Sequence, residues 1–148
     1  MSASLLDSRA DAAAAPTVPG GLLVWVGNNP HAESLVRHAG QLAEIGRLPW
    51  TVLAVETPSS LQLPAEQRAH ALGALALAER LGASTDSVSA GSVVAAVVER
   101  ARREQASMVV IGAHPPDGWL EGEQRHWLGG LADALSAQLP EAAINVIH

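Results

Sequence analysis

The chain alternates short, unbroken apolar runs with longer segments in which apolar residues recur at helical spacing. The runs are Leu22 to Val26, Thr51 to Val55, a weaker one at Ser87 to Ala90, Met108 to Ile111, and Ile144 to Ile147. Between them, Leu35, Ala39, Leu42 and Ala43 keep one helix face apolar. Val93, Val94, Val97, Val98 and Ala101 do the same in a later segment, and Leu128, Leu131, Ala132, Leu135 and Leu139 in the last. A further helix is predicted over the Ala-rich stretch Pro64 to Leu81, because proline is tolerated in a first helical turn and Gly82 supplies a stop. The predicted order is β-α-β-α-β-α-β-α-β.

Strands that are apolar throughout, rather than alternating, need helices on both faces of their sheet. Right-handed crossovers then give an α/β fold with a doubly wound, five-stranded parallel sheet, Rossmann-like, in three αβα layers. In such sheets ligands sit beyond the carboxyl ends of the strands, where neighbouring connections leave for opposite faces. The turns leaving the first and fourth strands are therefore expected to meet at one rim around a concave pocket. Residues 1–20, rich in Ala, Ser and Pro and ending in Pro19-Gly20, lack an amphipathic stripe and read as a mobile tail. Residues 21–148 read as a single domain.

Composition narrows the chemistry. The 148 residues are 48% hydrophobic, enough for one real core. There is no Cys, Lys, Tyr or Phe, which excludes disulfides, thiol nucleophiles, thiolate zinc sites, lysine Schiff bases and a P-loop lysine. All nine basic residues are Arg, against fifteen acids, for a net charge of −6. That balance disfavours a nucleic acid polymer as partner while leaving a small phosphate ligand open. No stretch approaches the roughly 18 apolar residues of a membrane span, and Met1 to Ala15 has no signal-peptide pattern, so a cytoplasmic location without membrane insertion is expected.

The loop Gly27-Asn28-Asn29-Pro30-His31 follows the first strand directly. Gly27 permits a tight turn, Asn28 and Asn29 offer amide donors and acceptors, and the helix starting near His31 or Ala32 points its first N–H groups into the crevice. Such a loop suits a phosphate or ribose, although the loop alone is no fingerprint and plain turn and cap chemistry accounts for the same residues. The stretch Gly112 to Asp133 offers a glycine at a strand end, a long polar connection, and Gly129-Gly130 before a helical period, as in a loop that folds over a ligand and returns to a helix N-terminus. Its alternative is a surface loop. His114, Asp117, Glu123 and His126 are candidates for a metal or an acid/base pair, at a spacing that matches no strong motif. Arg100, Arg102 and Arg103, interleaved with Glu99 and Glu104, read as a solvated helix face. Trp25 and Trp50 read as packing residues, whereas Trp119 and Trp127, if exposed, would mark a ligand or partner contact.

The segments "LLVWVGNNPHAESLVRHA", "QLAEIGRLPWTVLAVETP" and "LALAERLGA", with "GGLAD" at Gly129 to Asp133, resemble the universal-stress-protein-like domain of the KdpD potassium-sensor histidine kinases. The resemblance runs over residues 22–148. It implies a Rossmann-like fold, dimers paired through the last strand (here Ile144, Val146 and Ile147), adenine-nucleotide binding in some members, and a sensor-kinase or other signalling partner. The family's ATP pattern after the fourth strand is Gly-x2-Gly-x9-Gly-Ser/Thr. Gly112 matches its first glycine, Pro115 stands at the second, the stretch to Gly129 is longer than the pattern, and Gly130 replaces the hydroxyl residue. Some KdpD domains bind cyclic di-AMP through a Ser-x-Ser pair and a later Phe-Thr-Ala-x-Tyr segment. Gly27 and Asn29 occupy the serine positions here, and Trp50-Thr51-Val52-Leu53-Ala54 the second segment.

The expected function is a non-catalytic regulatory or sensor domain that binds an adenine nucleotide (ATP or AMP) or cyclic di-AMP. Gly27, Asn28, Asn29 and His31 would take phosphate or ribose, Trp50, Thr51 and Val52 would border the base, and Gly112, His114, Gly129 and Gly130 would close the far side. Two other classes remain open. One is a ligand-free dimerisation scaffold with a degenerate pocket, and the other is a nucleotide hydrolase using His114 and Asp117.

Overall fold

Val, Ile and Leu side chains fit a half-buried pleated surface, and in parallel pairing they fill both faces of a central strand. The computed structural model, which describes residues 20–114 and 124–147 and the side chains of all of these but 124–126, turns every apolar run into a strand. Along the chain come β1 (Leu22–Val26), α1 (Ala32–Gly46), β2 (Trp50–Glu56), a 3₁₀ turn (Ser60–Gln62) and α2 (Ala65–Arg80). They are followed by β3 (Ser84–Ser89), α3 (Val93–Glu104), β4 (Met108–Gly112), α4 (Gln124–Gln138) and β5 (Ala143–Ile147).

All five strands are parallel, in the order β3-β2-β1-β4-β5. The chain winds outward from β1 through β2 to β3, crosses back, and winds outward again through β4 to β5. Successive residues of β1 point to opposite faces. Leu22, Val24 and Val26 join the cluster under α1 and α2, while Leu23 and Trp25 join the cluster under α3 and α4. The connections after β1 and β4 leave for opposite faces, so the switch point lies between these two strands.

The edges depart from the apolar pattern. β3 runs from Ser84 to Ser89, earlier than the Ser87 to Ala90 expected, because its ladder to Thr51 through Glu56 of β2 defines it rather than its own hydrophobicity. Arg100 also departs from the solvated face predicted for it. Its side chain is largely buried between Asp86 of β3, with which it forms an ion pair, and Glu104 at 3.4 Å. Burial disfavours the guanidinium charge, but the hydrogen bond and charge of Asp86 and the charge of Glu104 outweigh it and raise the Arg100 pKa above its ordinary value. Arg102 donates to the Gln138 carbonyl, and Arg103 and Glu99 form the exposed pair that was expected. The anticipated tail falls on residues outside those described, except for Gly20. That residue is tied down by donating its N–H to the Gln105 carbonyl at 3.0 Å.

Candidate functional site

The turn after β1 is organised by one side chain. Asn29 is 8% exposed, accepts the His31 N–H at its Oδ1 (2.8 Å), and donates from Nδ2 to the His114 carbonyl at 3.3 Å. The first bond closes an Asx turn that starts α1. The second ties that turn to the end of β4. The imidazoles of His31 and His114 stack across the same junction, with centroids 3.7 Å apart and planes within 13°. The turns leaving β1 and β4 therefore do converge at one rim, as the topology requires.

Their meeting leaves almost no room. The space lined by Gly27, Asn29, His31, Ser34, Gly112 and His114 measures about 30 Å³, enough for a water molecule. The open cleft lies beside it, on the α3/α4 face of the sheet. It measures about 250 Å³ and is bounded by Trp25, Gly27 and Asn28 at the end of β1 and by Val55 and Thr57 at the end of β2. Ser59, Ser60 and Leu63 of the following turn, Val93 of α3, and Trp127 and Leu131 of α4 complete its walls. Trp127 meets Trp25 at a centroid distance of 6.0 Å and an angle of 40°. The wall after β2 is stiffened by reciprocal bonds: the Thr57 N–H donates to Ser60 Oγ (2.8 Å), the Ser60 N–H donates to Thr57 Oγ1 (3.1 Å), and the Ser60 hydroxyl donates to the Thr57 carbonyl. A second cleft of about 240 Å³ opens on the α2 face and shares Asn28, Val55 and Ser60 with the first. It carries Arg68, which lies 3.8 Å from Glu56.

Several sequence expectations are corrected by this geometry. Trp50, Thr51 and Val52 stand level with Leu22, Leu23 and Val24, at the amino end of the sheet, so a parallel strand carries them away from the rim where Gly27 lies. Trp50 instead packs over Gly40 and beside Leu81. Gly129 and Gly130 are exposed residues inside α4, which starts at Gln124, so they do not open a helix, and a Cβ on either would meet nothing within 4 Å. Of the sequence-derived group, Gly27, Asn29, His31, Gly112 and His114 come together, and Gly27 and Asn28 also line the open cleft. Val55, Thr57, Ser59, Ser60 and Trp25 line the open cleft and were not among the candidate residues read from the sequence. Counting register from the start of β1 against the start of β2 would have found the first four, since it is the end of β2 that reaches the rim.

Asp117, Trp119 and Glu123, and the side chain of His126, lie outside the described residues. Among those described, no group of three or more His, Asp or Glu side chains is gathered for a metal, and no helix is long and apolar enough to cross a membrane.

The KdpD sensor protein of Escherichia coli (strain K12) is 35% identical over 102 residues, covering 69% of this chain and 11% of KdpD. The chain is a universal-stress-protein-like domain related to KdpD. It spans about 11% of the length of that curated relative. The fold of the domain is that of solved universal stress proteins. One in complex with cAMP superposes with a TM-score of 0.59 at 21% identity, covering 88% of this domain and 97% of that chain. One from Archaeoglobus fulgidus in complex with dAMP superposes with a TM-score of 0.53 at 18% identity, covering 87% and 98%. No protein-family model matches the domain.

Proposed function

We propose that this domain is a non-catalytic regulatory module that binds an adenine nucleotide in the cleft between the ends of β1 and β2 and the start of α4, and signals its occupancy through a partner or a second copy. The observation that carries the reading is the 250 Å³ cleft itself, at the carboxyl edge of a doubly wound sheet, beside its switch point, and walled by two indoles. Its volume lies just below the roughly 300 Å³ at which ligand pockets typically begin, which suits a flat base inside and ribose and phosphate at the open mouth. Universal stress proteins bound to cAMP and dAMP support the ligand class. The hydroxyls of Thr57 and Ser60 are engaged with backbone groups rather than with a base that would activate them, which supports a binding role over hydrolysis. Similarity to KdpD supports a cytoplasmic setting beside a sensor kinase, with potassium or stress as the input.

Titrating the protein with AMP, ATP and cyclic di-AMP while following thermal unfolding tests this. A ligand at one hundred times its Kd adds about 2.7 kcal/mol to stability. No shift with any of them removes the nucleotide reading. Turnover of ATP with magnesium, abolished by His114→Ala, would make the domain an enzyme instead.

A second reading is favoured by the β5 edge. Ile144, Val146 and Ile147 are only partly covered on a strand that has one neighbour, β4, among the described residues. An apolar edge of this kind is protected by pairing with its own copy. With the gap between the β1 and β4 turns closed by His31 and His114, a homodimeric scaffold without ligand is the form the domain takes if the titrations are flat. Sedimentation of the protein against an Ile144→Lys variant separates monomer from dimer.

A further inference from the structure

Side chains alternate along a strand, and residues level with one another in a parallel ladder share a face. Val26 is level with Ala54, and Ala54 with Ser87. Val26 and Ala54 belong to the cluster under α1 and α2, so Ser87 turns to that side, and so does Glu56, two residues beyond Ala54. On α2, Arg68 and Leu72 stand four residues apart on one face. All of these line the cleft of about 240 Å³ on the α2 side of the carboxyl rim. The protein's own bonding leaves much of this lining unused. Arg68 and Glu56 face each other at 3.8 Å, too far for a hydrogen bond, with 40% and 44% of their side chains exposed. Among the described residues neither side chain has another hydrogen-bond or ion-pair partner, and the Ser87 hydroxyl has none. Leu72, a large apolar residue, is 62% exposed beside them.

An exposed ion pair of this kind adds little to stability. Its two charges do restrict what the cleft can hold. A simple anion drawn to Arg68 meets the Glu56 carboxylate, and a simple cation drawn to Glu56 meets the guanidinium. A molecule that carries both charges side by side satisfies the two at once, and an aliphatic body on the same molecule covers Leu72 and the apolar floor. We propose that this cleft binds a free aliphatic α-amino acid, with its carboxylate on Arg68, its ammonium on Glu56 and its side chain over Val26, Ala54 and Leu72. The guanidinium fork takes a carboxylate through two parallel bonds. The ammonium has three donors, so the Ser87 hydroxyl can accept from it beside Glu56. This site lies across β2 from the proposed nucleotide cleft and does not depend on it, since neither Arg68 nor Glu56 lines that cleft.

The test titrates the full chain calorimetrically with L-valine and L-leucine, and with two relatives of leucine that each lack one charge, 4-methylpentanoate and 3-methylbutylamine. Wild type is expected to bind an amino acid at least about tenfold more tightly than either single-charge relative, because each leaves one charged partner unsatisfied. Arg68→Met and Glu56→Gln should each weaken the amino acid about tenfold or more. Both variants should unfold at the wild-type temperature, since the pair they break is exposed. No binding of either amino acid at about 10 mM, well above the roughly 1 mM upper end of ordinary small-molecule affinities, overturns the proposal. Equal binding of leucine and 4-methylpentanoate overturns it as well, and so does wild-type affinity in both variants.

Discussion

Trp25 and Trp50 belong to neighbouring strands of one sheet and end up in opposite circumstances. Trp50 stands at the amino rim, where its indole covers Gly40 so closely that a Cβ there would lie 3.1 Å from Cη2. The ring has a partner surface on α1 and an open groove of about 620 Å³ beside it, bordered by Arg37, Arg47, Leu48 and Leu81. Trp25 stands near the carboxyl rim, almost wholly buried, with its N–H unpaired and its face tilted against Trp127. One indole covers a helix at the amino rim, and the other lines the open cleft at the carboxyl rim. The contrast teaches that residue type and strand membership do not locate a site in a parallel sheet. The end of the strand does, because the connections of a parallel sheet leave its carboxyl rim toward helix N-termini, where ligands bind.

The largest expected effect breaks the amino-rim half of the contrast. Trp50→Ala should cost about 3 kcal/mol of stability by stripping packing from Gly40 and Leu81, while nucleotide affinity stays within about twofold. Chemical denaturation and titration of the same variant check both. A loss of affinity well beyond that would return Trp50 to the site.

A smaller effect is expected at the bolt between the β1 and β4 turns. Asn29→Ala removes the bond to the His31 N–H and the bond to the His114 carbonyl, at a cost of about 2 kcal/mol. The His31 and His114 rings lose their registration with it, so hydrogen exchange at the start of α1 should speed up. Exchange unchanged from wild type would show that the ring stack alone holds the turns together.

The smallest change is a gain, again confined to the amino rim. Arg47 ends α1 with φ of 53°, a left-handed conformation in which a side chain is strained and glycine is not. Arg47→Gly should stabilise by about 0.5 kcal/mol, visible as a small rise in unfolding temperature and without effect on binding at the far rim.

The elements of this fold were legible wherever burial was two-sided. β1, β2 and β4 read from their apolar runs, and α1 and α3 from their periodic faces, because the core imposes those patterns directly on the residues. The edge strand β3 was legible only in part, since a strand with one covered ladder tolerates Ser, Thr and Asp. Gly129 and Gly130 misled because glycine before an apolar period has two readings, a helix entry or an exposed helical turn, and only the start of α4 at Gln124 separates them.

The candidate site divides in the same way. Sequence alone determined that the loop at Gly27 to His31 lies at the carboxyl rim and that the loops after β1 and β4 approach each other, for both follow from strand order and crossover hand. The tertiary structure alone decided that His31 and His114 close the space between those loops, that the open cleft lies one strand over beside Thr57 and Trp127, and that Trp50 stands at the opposite end of the sheet from it. The physical reason is that pattern records which face of an element is buried. Register, and the volume left between side chains from distant segments, exist only once the segments have met.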